Sequence, residues 1–256
     1  MDSIEHDELT RAEAVIARVV LGPYRDWNPD IAMRYLPIVR IVREHGLDRS
    51  VTEIGSGSVG IGPYLRRPFT GVDTSFSPPI HRLLWPMEAS VLETGLGSQS
   101  QPCVVSTDML EHLPRQRRQA AVEELVRITA RLLVLAVPCG VDAEAHDREM
   151  AELFRRARGV DHRFLLEHVA NGLPSRAELD AYLRRALSTE ARMGTVRWIA
   201  NSNLRLRTLV MRRWINRGTV DKIGWVGLTW LSRLLAHGHW GRAYRQIAIV
   251  EFSDVG

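Results

Sequence analysis

Apolar positions recur at near-helical spacing from Asp30 to His45, where Ile31, Tyr35, Ile38, Ile41 and Val42 fall on one face. Asn28 followed by Pro29 reads as an N-cap with proline at the first helical position, and Gly46 ends the helix. The pattern then shortens. Ser50 to Ile54 is a brief strand that runs into the glycine-rich stretch Gly55-Ser56-Gly57-Ser58-Val59-Gly60, and Phe69 to Val72 is a second strand ending at Asp73. Cys103 to Thr107 is the next convincing strand, and Pro114 opens a helix striped by Ala121, Val122, Leu125 and Ile128. Leu132 to Val137 is a continuous apolar run stopped by Pro138, the mark of a parallel strand buried on both faces.

Strand alternating with helix predicts an α/β fold with a mostly parallel sheet. Beyond Gly140 the pattern turns helical: Ala143 to Arg158, Arg176 to Leu187 after the turn Gly172-Leu173-Pro174-Ser175, and a Trp-rich stretch from Trp198 to Trp240. Tyr244 to Phe252 is rich in β-branched residues and reads as a strand returning to the same sheet. The expected organisation is N-terminal helices over 1–49 and one domain over 50–256, with helical insertions at about 141–187 and 196–241.

Composition narrows the function. The 256 residues carry two cysteines, Cys103 and Cys139, each alone, which excludes a disulfide framework or a paired-cysteine zinc site. The start, MDSIEHDELT, has acids where a secretory signal needs a basic and then an apolar stretch, so a cytoplasmic location is expected. The longest strongly apolar run, Ile223 to Ser232, is far short of the ~20 residues that span a bilayer. From Gly194 to Gln246 the net charge is +9, against +4 for the whole chain, so one basic module sits on an acidic body.

Gly55, Gly57 and Gly60 fit G-x-G-x-x-G between a strand and a helix, where the missing Cβ lets the backbone turn sharply and approach a ligand. Asp73 follows Gly55 by 18 residues at the end of the next strand, placed to accept hydrogen bonds from both hydroxyls of a ribose. A nucleotide-like cofactor is the natural occupant, and two classes compete for it: nicotinamide-dependent oxidoreductases and adenosylmethionine-dependent methyltransferases.

Glu53-Ile54-Gly55-Ser56-Gly57 resembles the E/D-x-G-x-G first motif of class I S-adenosylmethionine-dependent methyltransferases. Asp108-Met109-Leu110-Glu111-His112-Leu113-Pro114 is similar to the D-x-L-E-H stretch after the fourth strand in a subset of that family. The resemblance implies a Rossmann-like sheet of seven strands with flanking helices, Tyr244 to Phe252 being its seventh, antiparallel strand, and S-adenosyl-L-methionine as cofactor. It implies cofactor contacts from Glu53, Gly55, Gly57, Asp73 and Asp108. It also puts Ala89 and Ser90 beside the adenine, in a third strand expected within Met87 to Leu96 that lacks the family's frequent acid. A non-catalytic cofactor-binding protein would share the same motifs.

Methyl transfer from a sulfonium needs positioning more than acid-base help, because the cofactor arrives activated. His112, on the ligand side of the fourth strand, is the candidate base for a hydroxyl acceptor, although a histidine packing the start of the Pro114 helix has the same sequence. Asp142, His146, Asp147, Asp161, His162, Glu167 and His168 invite a metal reading, but the six-residue step from His162 to His168 does not share a helical face. No metal site is expected. The acceptor pocket is expected to be shaped by the insertion after the fifth strand.

Five of the seven tryptophans, Trp198, Trp214, Trp225, Trp230 and Trp240, lie among the arginines of the basic module. That mixture suits an anionic lipid surface or a glycan- or lipid-linked acceptor as well as it suits a packed cap. The expectations are therefore O-methylation of a small molecule or such a linked intermediate, with peripheral contact at the inner face of an anionic membrane. No nucleic-acid recognition motif is present in the sequence.

Overall fold

The computed structural model describes residues 27–216, 219–236 and 241–253, with the side chains of 219–223 and 233 left out. The expected helices before Trp27, together with Arg217, Trp240 and the side chains of Asp221, Lys222 and Arg233, lie outside the described residues. Helix α1 (Pro29–Glu44) begins as its sequence asks: the Asn28 side chain accepts from the backbone N–H groups of Asp30 and Ile31, with Pro29 in the first turn. Its buried stripe, including Tyr35, Ile38, Val39, Ile41 and Val42, packs onto one face of a seven-stranded sheet.

The strands are β1 (Val51–Ile54), β2 (Phe69–Asp73), β3 (Leu84–Glu88), β4 (Gln101–Thr107), β5 (Thr129–Pro138), β6 (Gly194–Asn203) and β7 (Ala243–Phe252), in the order β3-β2-β1-β4-β5-β7-β6. The first five run parallel, and β7 is antiparallel to both β5 and β6. In β5 the alternation explains the unbroken apolar run: Leu132, Val134 and Ala136 join the core under α1, while Leu133, Leu135 and Val137 join the core on the other face. That second core is closed by α3 (Arg118–Ile128), which follows the four-residue helix α2 (Gly62–Leu65) in the chain, and by α6 (Arg176–Thr189). Ser175 caps α6 in a reciprocal pair with Glu178.

Two strands depart from expectation. β3 begins three residues ahead of the segment expected for it and shares only Met87 and Glu88 with it, because Leu84-Trp85-Pro86-Met87-Glu88 is an edge strand in which only Leu84 is buried and a proline is tolerated, so no apolar pattern marks it. β6 occupies residues assigned to the second helical insertion. It is the other edge strand, with no residue buried before Asn201, and its Arg197 and Trp198 read as insertion residues in the sequence.

The remaining helices gather at the end of the sheet where the parallel strands finish. After β5 come α4 (Val141–Arg158) and α5 (Arg163–Asn171), the second unmarked in the sequence reading; after β6 come α7 (Leu204–Asn216) and α8 (Thr219–Leu235). Helix α7 binds them together through two small cores, Met33, Val210, Leu228 and Ala236 toward α1 and α8, and Met150, Leu165, Met211 and Ile215 toward α4 and α5. Among the described residues no helix is long and apolar enough to cross a membrane.

Candidate functional site

The sheet places the first candidate residues together at the ends of β1 and β2. Gly55, Gly57 and Gly60 take φ of +80°, +55° and +51°, values that side chains with a Cβ rarely adopt. A Cβ on Gly55 would stand 2.6 Å from the Met109 side chain, which lies across the turn from the loop after β4. A Cβ on Gly60 would fall onto Glu53 Oε2.

Glu53 is wholly buried beneath this turn, accepting from Tyr35 Oη at 2.7 Å and from the Ile61 N–H at 2.7 Å. Burial outweighs these hydrogen bonds and pushes its carboxyl up to about 7. Both oxygens of Glu53, a candidate cofactor contact, are engaged by the protein, and the carboxylate holds the turn from beneath.

Asp73 is half-buried at the end of β2. Its Oδ2 accepts from the Gly57 N–H at 2.7 Å and its Oδ1 from the Thr74 N–H at 2.7 Å, so turn and acid are one unit. Ala89 and Ser90 follow β3 directly; the Ala89 N–H donates to the Asp73 carbonyl, and Ser90 Oγ accepts from Leu92. Contrary to expectation an acid does end β3: Glu88 is exposed and pairs in register with Asp73. The sequence reading passed over Glu88 for want of that register.

Asp108 follows β4 directly, at φ +50°. Its carboxylate receives two guanidinium nitrogens of Arg245, and Arg34 Nε stands 3.0 Å away. Against burial, these arginines hold the carboxyl at about 2. Asp108, expected to line the floor beside the cofactor, is thus tied into a buried ion cluster. Arg207 extends it, donating to Asp30 Oδ1 at 2.7 Å and lying 3.9 Å from Asp147.

The loop continues as a single 3-10 turn, Leu110–His112, covered by α5. His112 Nδ1 meets Glu167 Oε2 at 2.8 Å, and its ring centroid lies 4.9 Å from that of His168. Burial, with His168 nearby, holds His112 below its ordinary value. His168 Nδ1 pairs with Asp147 Oδ2 at 2.7 Å, and this bond, with the charge of Glu111, raises His168 despite burial. Glu111 is fully buried and pushed up to about 7 by burial, with Asp108 adding to the shift. Asn171, at the end of α5, donates to the Glu111 and His112 carbonyls, and buried Arg118 donates to those of Leu113, Asn171 and Gly172. Of the scattered His and acid residues in the sequence, the structure thus brings Asp147, Glu167 and His168 to Glu111 and His112. It leaves Asp142 paired with Arg242 and His162 capping α5.

No protein-family model matches the chain and no curated protein matches it. Solved structures that resemble it include the methyltransferase domain of bacterial CtHen1-CN, at 12% identity, 86% of this chain, 97% of that one and a TM-score of 0.46. Geranyl diphosphate methyltransferase in complex with SAM matches at 11% identity over 96% of this chain and 86% of that one, TM-score 0.45. The cyclase SpnF matches at 14% identity over 84% and 80%, TM-score 0.46. These identities concern fold alone. The chain's own topology is sharper, because a dinucleotide-binding sheet continues β5 with a parallel sixth strand, whereas here antiparallel β7 lies between β5 and β6. The fold is a Rossmann-like sheet of seven strands, mostly parallel, with flanking helices and an antiparallel β7 between β5 and β6.

In an open α/β sheet the ligand crevice lies outside the carboxyl ends of the strands at the switch point, here between β1 and β4. The residues present fit a polar cofactor there. Ser106 pairs in register with Ile54, just before Gly55, and both it and Thr107 bury hydroxyls without a protein partner. Asp73 keeps lone pairs toward solvent beyond those spent on Gly57 and Thr74.

Proposed function

We propose that the protein is an S-adenosylmethionine-dependent methyltransferase that methylates an oxygen of a small molecule or of a glycan- or lipid-linked acceptor. The observation that carries this reading is the hydrogen bond from Gly57 to Asp73 at the carboxyl ends of β1 and β2, beside the switch point, which joins a glycine turn and a ribose-type acid into one preformed cradle. Bound there, S-adenosylmethionine supplies a methyl group already activated as a sulfonium.

The work left to the chain is positioning and exclusion of water. Asp73 accepts hydrogen bonds from ribose hydroxyls, and Gly55 and Gly57 leave room for the chain of the cofactor. Glu88, Ala89 and Ser90 flank its base, while Glu53 and Asp108 hold turn and loop from behind. His112 is the proton acceptor for a hydroxyl: Glu167 holds Nδ1, and the depressed pKa keeps the ring neutral, with a lone pair on Nε2. A carboxylate acceptor needs no such base.

Titration calorimetry with S-adenosylmethionine tests the reading. Wild type should bind, and Asp73→Ala should bind roughly 10- to 150-fold more weakly, the worth of hydrogen bonds to a charged group, about 1.5–3 kcal/mol. Absence of binding to wild type at millimolar cofactor overturns it.

A further inference from the structure

One ligand atom from each of Glu111, His112 and His168 lies within 4.8 Å of one from each of the other two. Both Glu111 oxygens and His168 Nε2 are buried without a hydrogen-bond partner in the protein, an arrangement that native interiors avoid. The other side of each imidazole is already engaged, His168 Nδ1 by Asp147 and His112 Nδ1 by Glu167. A carboxylate on the far nitrogen is the feature that fixes tautomer and ring orientation in metal-binding histidines. The backbone beneath is also pinned, since Asn171 and Arg118 tie the end of α5 to residues 111–113.

Charge points the same way. In the adjoining cluster Asp30, Asp108 and Asp147 face Arg34, Arg207 and Arg245, so each aspartate is matched by an arginine. Glu111 has no arginine within ion-pair distance among the described residues; its one basic neighbour at that range is His168, at 3.8 Å. A bound cation would give Glu111 the counter-charge that its aspartate neighbours already have.

We propose that Glu111, His112 and His168 bind a divalent first-row transition-metal ion, with Asp147 and Glu167 orienting the two imidazoles. Two nitrogen donors and one carboxylate suit manganese, cobalt or zinc better than the all-oxygen shells preferred by magnesium and calcium. The 3.8 Å between His168 Nε2 and Glu111 Oε1 is close to the ~3.0–3.4 Å that separates two ligands each about 2.1 Å from one ion, so a small inward shift closes the site. Three protein ligands leave coordination positions open to solvent or to an oxygen of an acceptor. The ligands come from segments 56 residues apart in sequence, Glu111–His112 and His168, which is why spacing along one helix gave no hint of them.

The site stands without the methyl-transfer reading. The two meet only at His112, whose lone pair serves either an ion or a proton; with an ion bound, the ion itself acidifies a coordinated hydroxyl.

The test uses the full chain, stripped with chelator and titrated with Co2+ in the absence of any cofactor. Wild type should bind one equivalent, with visible d–d absorption of a nitrogen- and oxygen-ligated ion. His168→Asn and Glu111→Gln should abolish those bands. Glu167→Gln, at a half-exposed position that leaves the buried cluster intact, should keep the circular dichroism spectrum and melting temperature of wild type and bind about 10- to 100-fold more weakly. His162→Gln, outside the triad, should bind as wild type does. Wild type that binds no Co2+, or binds it equally well after His168→Asn and Glu167→Gln, overturns the proposal whatever S-adenosylmethionine does.

Discussion

Arg245, near the start of β7, places two guanidinium nitrogens on the two carboxylate oxygens of Asp108 directly after β4, and both residues are buried. Arg34 of α1 completes the clamp, so the acid joins the first described helix, the middle of the sheet and the last strand. A buried ion pair adds little over an apolar pair, but one partner left alone is costly. Arg245→Leu should therefore lower unfolding free energy by about 3–5 kcal/mol in urea titrations. Asp108→Asn should cost at least about 1 kcal/mol less in the Arg245→Leu background than alone, since the pair's attraction is already gone there. Losses that merely add would show that the pair is not a unit.

Gly60 tests the glycine turn separately from any cofactor contact. Alanine there must hold φ near +51°, costing about 1–2 kcal/mol, and its methyl would displace the Glu53 carboxylate and press on Phe69. Gly60→Ala should lower the melting temperature and also weaken S-adenosylmethionine binding, because Glu53 holds the Ile61 N–H that shapes the turn. Wild-type values for both would show that the turn tolerates a Cβ.

The parts of this molecule legible in the sequence are those whose physics is local. The Asn28 cap, the β5 run and the glycine turn each depend on neighbours within a few residues, and each stands where the pattern put it. β7 was readable because its β-branched residues are buried on both faces. β3 and β6 were not, because edge strands need no apolar pattern. The roles of Glu53 and Asp108 were hidden for another reason: what an acid does depends on Tyr35, Arg34 and Arg245, which only the fold brings near.

Glu53 also predicts a pH dependence. Its folded-state pKa, raised from 4.5 to about 7 by burial, means that the folded chain holds a proton which the unfolded chain releases. The contribution is fully present below about pH 4.5 and is lost as pH rises through about 7, at most about 3 kcal/mol. Tyr35, Arg34 and Asp73 are the charged or titratable groups acting on it. Glu53→Gln should flatten the fall in stability between about pH 5 and 7.5, read from urea midpoints. A wild-type profile that rises across this window would reverse the assignment.

The basic module offers a surface less charge than its +9 suggests. Arg207 and Arg245 are buried against Asp30 and Asp108, and Arg212 and Arg242 pair with Glu149 and Asp142. Among its described side chains α8 exposes an apolar group: Trp230, Leu231 and Leu234 are 47%, 49% and 75% accessible, and Leu234 neighbours the other two at steps of four and three residues. If the acceptor is lipid-linked, this face is the part of the chain suited to a membrane interface, with the remaining arginines supplying a salt-sensitive attraction. In flotation with vesicles containing phosphatidylglycerol, wild type should float at low salt and less so at high salt. Leu231→Ser with Leu234→Ser should stay at the bottom of the gradient while binding S-adenosylmethionine as wild type does, because the cofactor residues lie on the loops after β1 to β4. Wild type that ignores anionic vesicles at low salt would leave α8 as a cap over α1 and α7, and a free small molecule would then be the acceptor to pursue.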